Sequence, residues 1–168
     1  MSEPTKPTFQ IQSSLKTGLQ QEASYLIENL IEEGDQVLLY GHPKVGKTFL
    51  AIQMACNLAA KKDFLKWEVK KRRKVLYFNF EMGERVFAER ITEYLDKPDA
   101  GLSKDEQIAF FDNQIQGHLF FSTAPRSIDI LGSDAELKKE IAERKPDIII
   151  FDTLTKLHGV DERDNNVT

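Results

Sequence analysis

The sequence predicts an α/β fold in which a mostly parallel sheet is flanked by helices. Short apolar runs, typical of strands covered on both faces, alternate along the chain with segments whose apolar residues recur at helical spacing. Such alternation favours parallel strands joined by right-handed crossovers, with ligands bound beyond the carboxyl ends of the strands. Polar features directly follow three of the runs, at Gly41, Glu81 and Asp152. We therefore expect these three features to share one edge of the sheet.

The length and composition of the chain indicate one globular domain. The chain has 168 residues, of which 40% are hydrophobic and 30% charged. Its net charge of -4 argues against attraction of the whole surface to nucleic acid, but not against a local basic patch. The single cysteine, Cys56, excludes an internal disulfide and falls in an apolar helical pattern, so we expect a buried thiol. Neither a membrane span of about 18 apolar residues nor a signal peptide is present, which predicts a cytoplasmic protein with no membrane partner.

The first part of the chain predicts a tail, a helix, a strand and a second helix. Residues 1–21 are mostly polar and contain two prolines, so we expect a flexible tail before a domain over 22–168. Apolar residues at helical spacing predict a helix over 22–33, which Gly34 would end. The apolar run 37–40 predicts a strand covered on both faces, and residues 48–60 repeat apolar residues as a helix does.

The remaining elements follow a basic segment. Residues 66–74 hold six Lys and Arg residues with one aromatic, Trp67, and we interpret them as a solvated connector, the alternative being a DNA-binding patch. Strands are expected over 75–80, 119–121 and 147–151, and helices over 83–95 and 134–144, the latter with Leu137 and Ile141 facing inward. Residues 97–107 indicate a linker with a short helix after Ser103.

The segment after the first strand carries a phosphate-binding pattern. GHPKVGKT matches G-x-x-x-x-G-K-[ST] in full, between a predicted strand and a predicted helix. Glycines allow backbone N–H groups to surround phosphate oxygens, and the helix N-terminus adds positive potential. A turn without ligand is the alternative. We predict ATP and Mg²⁺ as ligands, with Lys47 on the β and γ phosphates and Thr48 on the metal. The predicted nucleotide-binding residues are Gly41, His42, Pro43, Lys44, Val45, Gly46, Lys47, Thr48 and Phe49.

Two acidic residues complete the predicted site. Asp152 ends a run of large apolar residues, where a carboxylate needs a cation or hydrogen-bond donors, so we predict a magnesium ligand. Glu81 follows an aromatic strand at the same edge and can orient a water toward the terminal phosphorus. The alternatives are a strand-end turn cap for Asp152 and a solvated acid at a helix start for Glu81. The predicted catalytic residues are Glu81 and Lys47.

Three stretches resemble a known family. GHPKVGKTFLAIQMA, VLYFNFEM and PDIIIFDTLTKLHGVDERDNN resemble the RecA-like P-loop ATPases, in particular the branch of plasmid RepA hexameric replicative helicases and related AAA-type ATPase domains. The resemblance implies a RecA-like fold over 22–168, the Walker B role for Asp152 and the catalytic-base role for Glu81. It also implies a hexameric ring that contacts DNA through regions beyond this chain. His158, Asp161, Glu162 and Asn165 match a loop near the nucleotide or the neighbouring subunit, the alternative being a solvated loop.

The sequence departs from that family in two respects. Lys44 stands where the branch commonly has glycine, so a positive φ there would be strained. The sequence stops at Thr168, before the next strand of the family fold with its sensor residue, and before the arginine that completes a neighbour's site. We therefore expect the N-terminal portion of a larger ATPase domain with a gap in the sheet, the alternative being a domain that closes its sheet in another way.

The leading functional hypothesis is an ATPase that drives DNA unwinding or translocation in plasmid or phage-type replication or repair. A nucleotide-binding module with little turnover, which regulates or scaffolds a partner, is the alternative. A small-molecule phosphotransferase is disfavoured, because the chain has a separate Glu81 and lacks an arginine-rich lid segment before Asp152.

Overall fold

The computed structural model describes residues 23–98, 100–122 and 135–153. Helices and strands alternate along most of this length, which confirms the α/β class. The elements in chain order are β1 (Tyr25–Ile27), β2 (Ile31–Glu32), α1 (Lys47–Ala60), β3 (Val75–Asn79), α2 (Glu84–Tyr94), α3 (Lys104–Ile115), β4 (Leu119–Ser122), α4 (Ala135–Arg144) and β5 (Ile148–Asp152).

Three parallel strands form the sheet, in the order β4-β3-β5. The central strand β3 is buried along its whole length, as expected for a parallel strand between two layers of helices. Val75 pairs with Ile148 at the start of β5, and Asn79 pairs with Asp152 at its end. The carboxyl ends of β3 and β5 therefore meet at one edge of the sheet, as the sequence predicts.

Alternate residues of β3 face two different layers. Val75 and Tyr77 belong to the main core, which α1, α2 and the end of α3 cover. Leu76 and Phe78 face the opposite layer, where Leu137 and Ile141 of α4 pack against a smaller cluster. The predicted inward face of this last helix is therefore confirmed.

The helix predicted over 22–33 is wrong, because this segment forms the antiparallel hairpin β1–β2. Asn29 turns the chain with a φ of 55°, which a helix cannot contain. The guanidinium of Arg73 donates to Glu33 and to the carbonyl of Tyr25, and the N–H of Glu28 donates to the carbonyl of Glu68. These contacts with a distant part of the chain outweigh the helical spacing of the apolar residues.

The strand predicted over 37–40 is also wrong. This segment joins no strand ladder among the described residues, and Val37 and Tyr40 are 64% and 84% exposed. Its neighbour β5 pairs with β3 alone within the described part of the chain. A cavity of about 540 Å³ lies between residues 37–39, α1 and β5. An apolar run becomes a strand only where a partner strand supplies hydrogen bonds. Here the cavity separates residues 37–39 from β5, the strand that would have been their partner.

The predicted helix 48–60 corresponds to α1, and 83–95 corresponds to α2. The segment 97–107 is only partly a linker, because α3 begins at Lys104 and continues to Ile115. A capping box explains this start: Ser103 accepts a hydrogen bond from the Glu106 N–H, and the Glu106 carboxylate accepts one from the Ser103 N–H. Cys56 is fully buried on α1, as predicted.

The basic segment 66–74 is not uniformly solvated. The Arg73 side chain is 4% exposed and is paired with Glu33 and Asp147. Lys70 lies 2.8 Å from Glu28, while Lys71 and Arg72 are exposed. The solvated-connector interpretation is therefore wrong for Arg73, which ties the hairpin to the start of β5.

Candidate functional site

The phosphate-loop pattern leads directly into α1. Gly46 caps the helix with a φ of 93°, and Lys44 has a φ of 66°. The first hydrogen bond within the helix runs from the N–H of Leu50 to the carbonyl of Gly46. The preceding N–H groups of the first turn have no acceptor within the helix, so they are free to surround an anion. The positive φ expected to be awkward for Lys44 is present, and a lysine adopts it.

Lys47 lies across the loop that precedes it. Its ammonium donates to the carbonyls of Gly41 and His42, each at 2.9 Å. The cation is therefore held inside the loop, close to the backbone that phosphate oxygens would contact. This arrangement brings the first and last parts of the pattern together.

Asp152 at the end of β5 connects the loop helix to the sheet. The hydroxyl of Thr48 donates to Asp152 Oδ1 at 3.3 Å, and the hydroxyl of Tyr77 donates to Oδ2 at 2.8 Å. Burial, followed by the negative charge of Asp152, raises the pKa of the Tyr77 phenol well above its ordinary value. The phenol therefore keeps its proton and acts as a donor to the carboxylate. Each carboxylate oxygen of Asp152 thus accepts one side-chain hydrogen bond.

Glu81 lies two residues beyond β3, in a turn that the side chain of Asn79 organises. Asn79 Oδ1 accepts from the N–H groups of Glu81 and Met82, at 3.2 and 3.0 Å, and its Nδ2 donates to the Met82 carbonyl at 2.6 Å. The N–H of Phe80 donates to the Asp152 carbonyl at 2.8 Å. The backbone of Glu81 therefore lies at the same edge of the sheet as Asp152. The Glu81 side chain is exposed.

The other predicted loop residues are open to solvent. His42, Pro43, Lys44 and Val45 are all exposed. Phe49 lies in the first turn of α1, and the guanidinium of Arg90 sits 4.0 Å from the centre of its ring. The loop is thus open on its outer side and supported by α1 on its inner side.

The sequence interpretation missed Tyr77 and Asn79, which contact the two acidic elements of the site. Both are buried, and both lie on the face of β3 that meets α1, since they are two residues apart. The sequence did contain a signal for Asn79, because it is a polar residue in an otherwise apolar strand, just before the predicted catalytic acid Glu81. The polar loop that contains His158, Asp161, Glu162 and Asn165 lies outside the described residues.

The oxygen atoms of Thr48 and Asp152 fit a magnesium ion in chemical type. Mg²⁺ prefers oxygen ligands and is usually held by one or two protein groups together with substrate phosphates. Among the described residues, no group of three or more His, Cys, Asp or Glu side chains could hold a metal by itself. The residues present therefore suit a metal that arrives with a phosphate ligand.

Comparison with known proteins agrees with this geometry at the level of the family. Neither curated proteins nor solved structures give a significant match to the chain. No helix in the described ranges is long and apolar enough to cross a membrane. The model of the AAA domain family matches residues 3–168, which is nearly the whole chain. The chain therefore belongs to the AAA domain family of P-loop ATPases, and this membership indicates a nucleotide-binding ATPase.

Proposed function

We propose that this protein binds ATP with Mg²⁺ and hydrolyses it at the edge formed by the phosphate loop, β3 and β5. The observation that carries the proposal is the hydrogen bond from Thr48 to Asp152, which are 104 residues apart in the chain. It joins the last residue of the loop pattern to the acid at the end of β5, and P-loop NTPases hold magnesium with such a pair.

The phosphates would be held by the loop backbone and by Lys47. The first-turn N–H groups of α1 offer donors, and the helix N-terminus offers positive potential. Lys47 already lies over the loop, where its two carbonyl acceptors can be exchanged for phosphate oxygens. A bound Mg²⁺ would neutralise charge on the β and γ phosphates, with Thr48 and Asp152 as its protein partners.

Glu81 would direct the hydrolytic water. Its carboxylate accepts a hydrogen bond from the water, whose oxygen then attacks the γ phosphorus. The bond from this phosphorus to the β–γ bridging oxygen breaks, so that ADP and inorganic phosphate leave. The proton lost by the water passes through the Glu81 carboxylate to the phosphate product.

We extend the proposal to DNA unwinding or translocation by a homo-oligomeric ring. Its support is the resemblance of the loop, Glu81 and Asp152 segments to the RepA branch of RecA-like ATPases. The alternative is a nucleotide-binding module with little turnover that regulates or scaffolds a partner. The exposure of Glu81 favours this alternative, because catalytic acids usually work in sites that exclude water.

Steady-state ATP hydrolysis with and without single-stranded DNA separates the two functions. The wild-type protein is expected to hydrolyse ATP faster when DNA is present, and Glu81→Gln is expected to bind ATP while losing at least about 99% of the rate. Glu84→Gln serves as the matched control, because Glu84 is an exposed acid three residues further along, at the start of α2. Equal rates in the wild type and Glu81→Gln would exclude Glu81 as the base. Nucleotide binding without hydrolysis in the wild type would favour the regulatory module.

A further inference from the structure

One face of β3 carries two buried polar residues, each bonded to a different acidic element of the site. Tyr77 is fully buried and Asn79 is 1% exposed, although both have polar side chains. Residues at this spacing in a strand point to the same side of the sheet. Buried polar groups are costly unless they are hydrogen-bonded, so their partners identify what they stabilise.

We propose that Tyr77 and Asn79 are positioning residues: Tyr77 orients Asp152, and Asn79 fixes the turn that presents Glu81. Neither residue would contact the nucleotide. The inference rests on the proposed ATPase function. It adds that β3 is the strand that aligns the two acidic residues, Asp152 and Glu81.

Tyr77 presents its hydroxyl from a rigid position. Its ring is packed against Phe87 with a centroid distance of 5.0 Å, and Phe87 in turn packs against Phe121 at 5.2 Å. A phenol has only two side-chain torsions, both restricted here by burial, so the donor cannot follow a rotating carboxylate. The bond to Asp152 Oδ2 therefore limits rotation of that carboxylate and leaves Oδ1 directed toward Thr48.

Asn79 acts on the backbone next to Glu81. Three hydrogen bonds of its side chain go to residues 81 and 82, which fixes the path of the chain immediately after β3. The Glu81 side chain is exposed and can move, but its Cα position is set by this turn. Loss of these hydrogen bonds would widen the range of positions open to the Glu81 carboxylate, without removing any ligand for phosphate or metal.

The role of Tyr77 predicts a loss of Mg²⁺ affinity, whereas the role of Asn79 predicts a loss of kcat. Groups that orient a metal ligand typically contribute about ten- to a hundredfold to metal affinity. Tyr77→Phe keeps the ring in the core and removes only the hydroxyl. We expect the affinity for a non-hydrolysable ATP analogue to be unchanged in EDTA, while the increase in affinity caused by Mg²⁺ falls at least about tenfold.

Isothermal titration of the analogue, in EDTA and in Mg²⁺, tests the role of Tyr77. Tyr94→Phe is the matched control, since it removes a hydroxyl at the far end of α2. Urea unfolding of each variant shows whether the fold is retained. An unchanged Mg²⁺ effect in folded Tyr77→Phe would overturn this role. Wild-type protein that binds the analogue without any Mg²⁺ effect would instead overturn the proposed function, and with it this inference.

Steady-state kinetics test the role of Asn79. Asn79→Ala is expected to lower kcat about tenfold or more, with KM and the Mg²⁺ effect on analogue binding unchanged. Asn79→Ser should recover part of the rate, because a serine hydroxyl can accept from the N–H groups of the same turn. It also gives a second variant should Asn79→Ala fail to fold. An unchanged kcat in a folded Asn79 variant would overturn the proposal, as would a loss confined to Mg²⁺ affinity.

Discussion

The strand β3 and the segment 37–40 are both apolar runs that lead toward the site, yet they behave in opposite ways. Every residue of β3 is buried and both of its edges are paired, whereas Tyr40 is 84% exposed and its segment joins no ladder among the described residues. The composition of the two runs is similar, so composition does not explain the contrast. The difference lies in the neighbours: β3 has β4 and β5, while a cavity of about 540 Å³ separates 37–39 from β5.

This contrast means that the two sides of the site are supported differently. Asp152 and the Glu81 turn are attached to β3 and β5, which pair with each other along their whole length. The phosphate loop instead follows the exposed segment 37–40 and leads into α1. We infer that the Asp152 carboxylate and the backbone of the Glu81 turn are held in place by the sheet, whereas no strand ladder among the described residues holds the entrance to the loop.

Truncation of one tyrosine in each region is expected to give the largest difference in the free energy of unfolding. Tyr77→Ala should lower the free energy of unfolding by about 3–5 kcal/mol, because it removes a fully buried ring from the core. Tyr40→Ala makes the same chemical change at an exposed position and should alter it by less than about 0.5 kcal/mol. Urea unfolding followed by circular dichroism measures both. Comparable losses would show that 37–40 is packed in solution.

Within the basic segment, buried Arg73 contrasts with its exposed neighbour Arg72. Arg73→Ala should cost about 2–3 kcal/mol, because it breaks charge-assisted hydrogen bonds that link the hairpin to the sheet. Arg72→Ala, its exposed neighbour, should change the free energy of unfolding by less than about 0.5 kcal/mol. The same unfolding assay compares the two. If Arg72→Ala were as destabilising as Arg73→Ala, the link to the hairpin would be wrong.

Cys56 is buried in the main core, on α1, and this makes the stability of the protein sensitive to alkaline pH. Burial raises the pKa of this thiol to about 12. The unfolded thiol ionises near pH 8.5, so the contribution of Cys56 to stability is complete below that pH and is lost as the pH rises toward 12. Between pH 8 and 10 the wild type should lose about 1–2 kcal/mol more than Cys56→Ala. Parallel urea titrations at the two pH values measure this, and equal losses would mean that the thiol is accessible to water.

The smallest effect on the free energy of unfolding is expected at Lys44, in the phosphate loop. Lys44 adopts a φ of 66°, which costs an L-residue about 1–2 kcal/mol relative to glycine. Lys44→Gly should therefore raise the free energy of unfolding by about 0.5–1 kcal/mol, after allowing for the greater entropy of glycine in the unfolded chain. Lys61→Gly is a comparison site, since Lys61 also has a positive φ, of 58°, but lies at the other end of α1. A loss of stability in Lys44→Gly would show that the loop conformation differs in solution.

Local patterns predicted the parts of the fold that depend on residues close in sequence. The strands β3 and β5, the helices α1, α2 and α4, and the shared edge of Glu81 and Asp152 follow from apolar spacing and chain order. The hairpin β1–β2 could not be predicted this way, because Arg73 stabilises it from 40 residues away. The residues 37–40 have the propensity of a strand, but whether a partner strand is adjacent is a property of the whole fold.

Within the site, sequence reasoning found the residues whose chemistry is visible in a motif. The phosphate-loop pattern places Lys47 and Thr48 at the start of α1, although the strand expected before the loop does not form at 37–40. Thr48 reaches Asp152 because Asp152 ends β5, as the apolar run before it predicts. Tyr77 and Asn79 belong to no such motif. Tyr77 matters through its contact with Asp152, which depends on the register between β3 and β5. Asn79 matters through its contacts with residues 81 and 82, in a turn that no motif specifies.

The most direct test of the central claim is the effect of Mg²⁺ on nucleotide affinity in Asp152→Asn. The substitution preserves the size of the side chain and removes its charge. Titration with a non-hydrolysable ATP analogue should show wild-type affinity in EDTA and at least about a tenfold loss of the Mg²⁺ effect, while Asp112→Asn, an exposed acid on α3, should match the wild type throughout. If Mg²⁺ strengthened binding equally in Asp152→Asn and the wild type, Asp152 would not be part of the metal–nucleotide site.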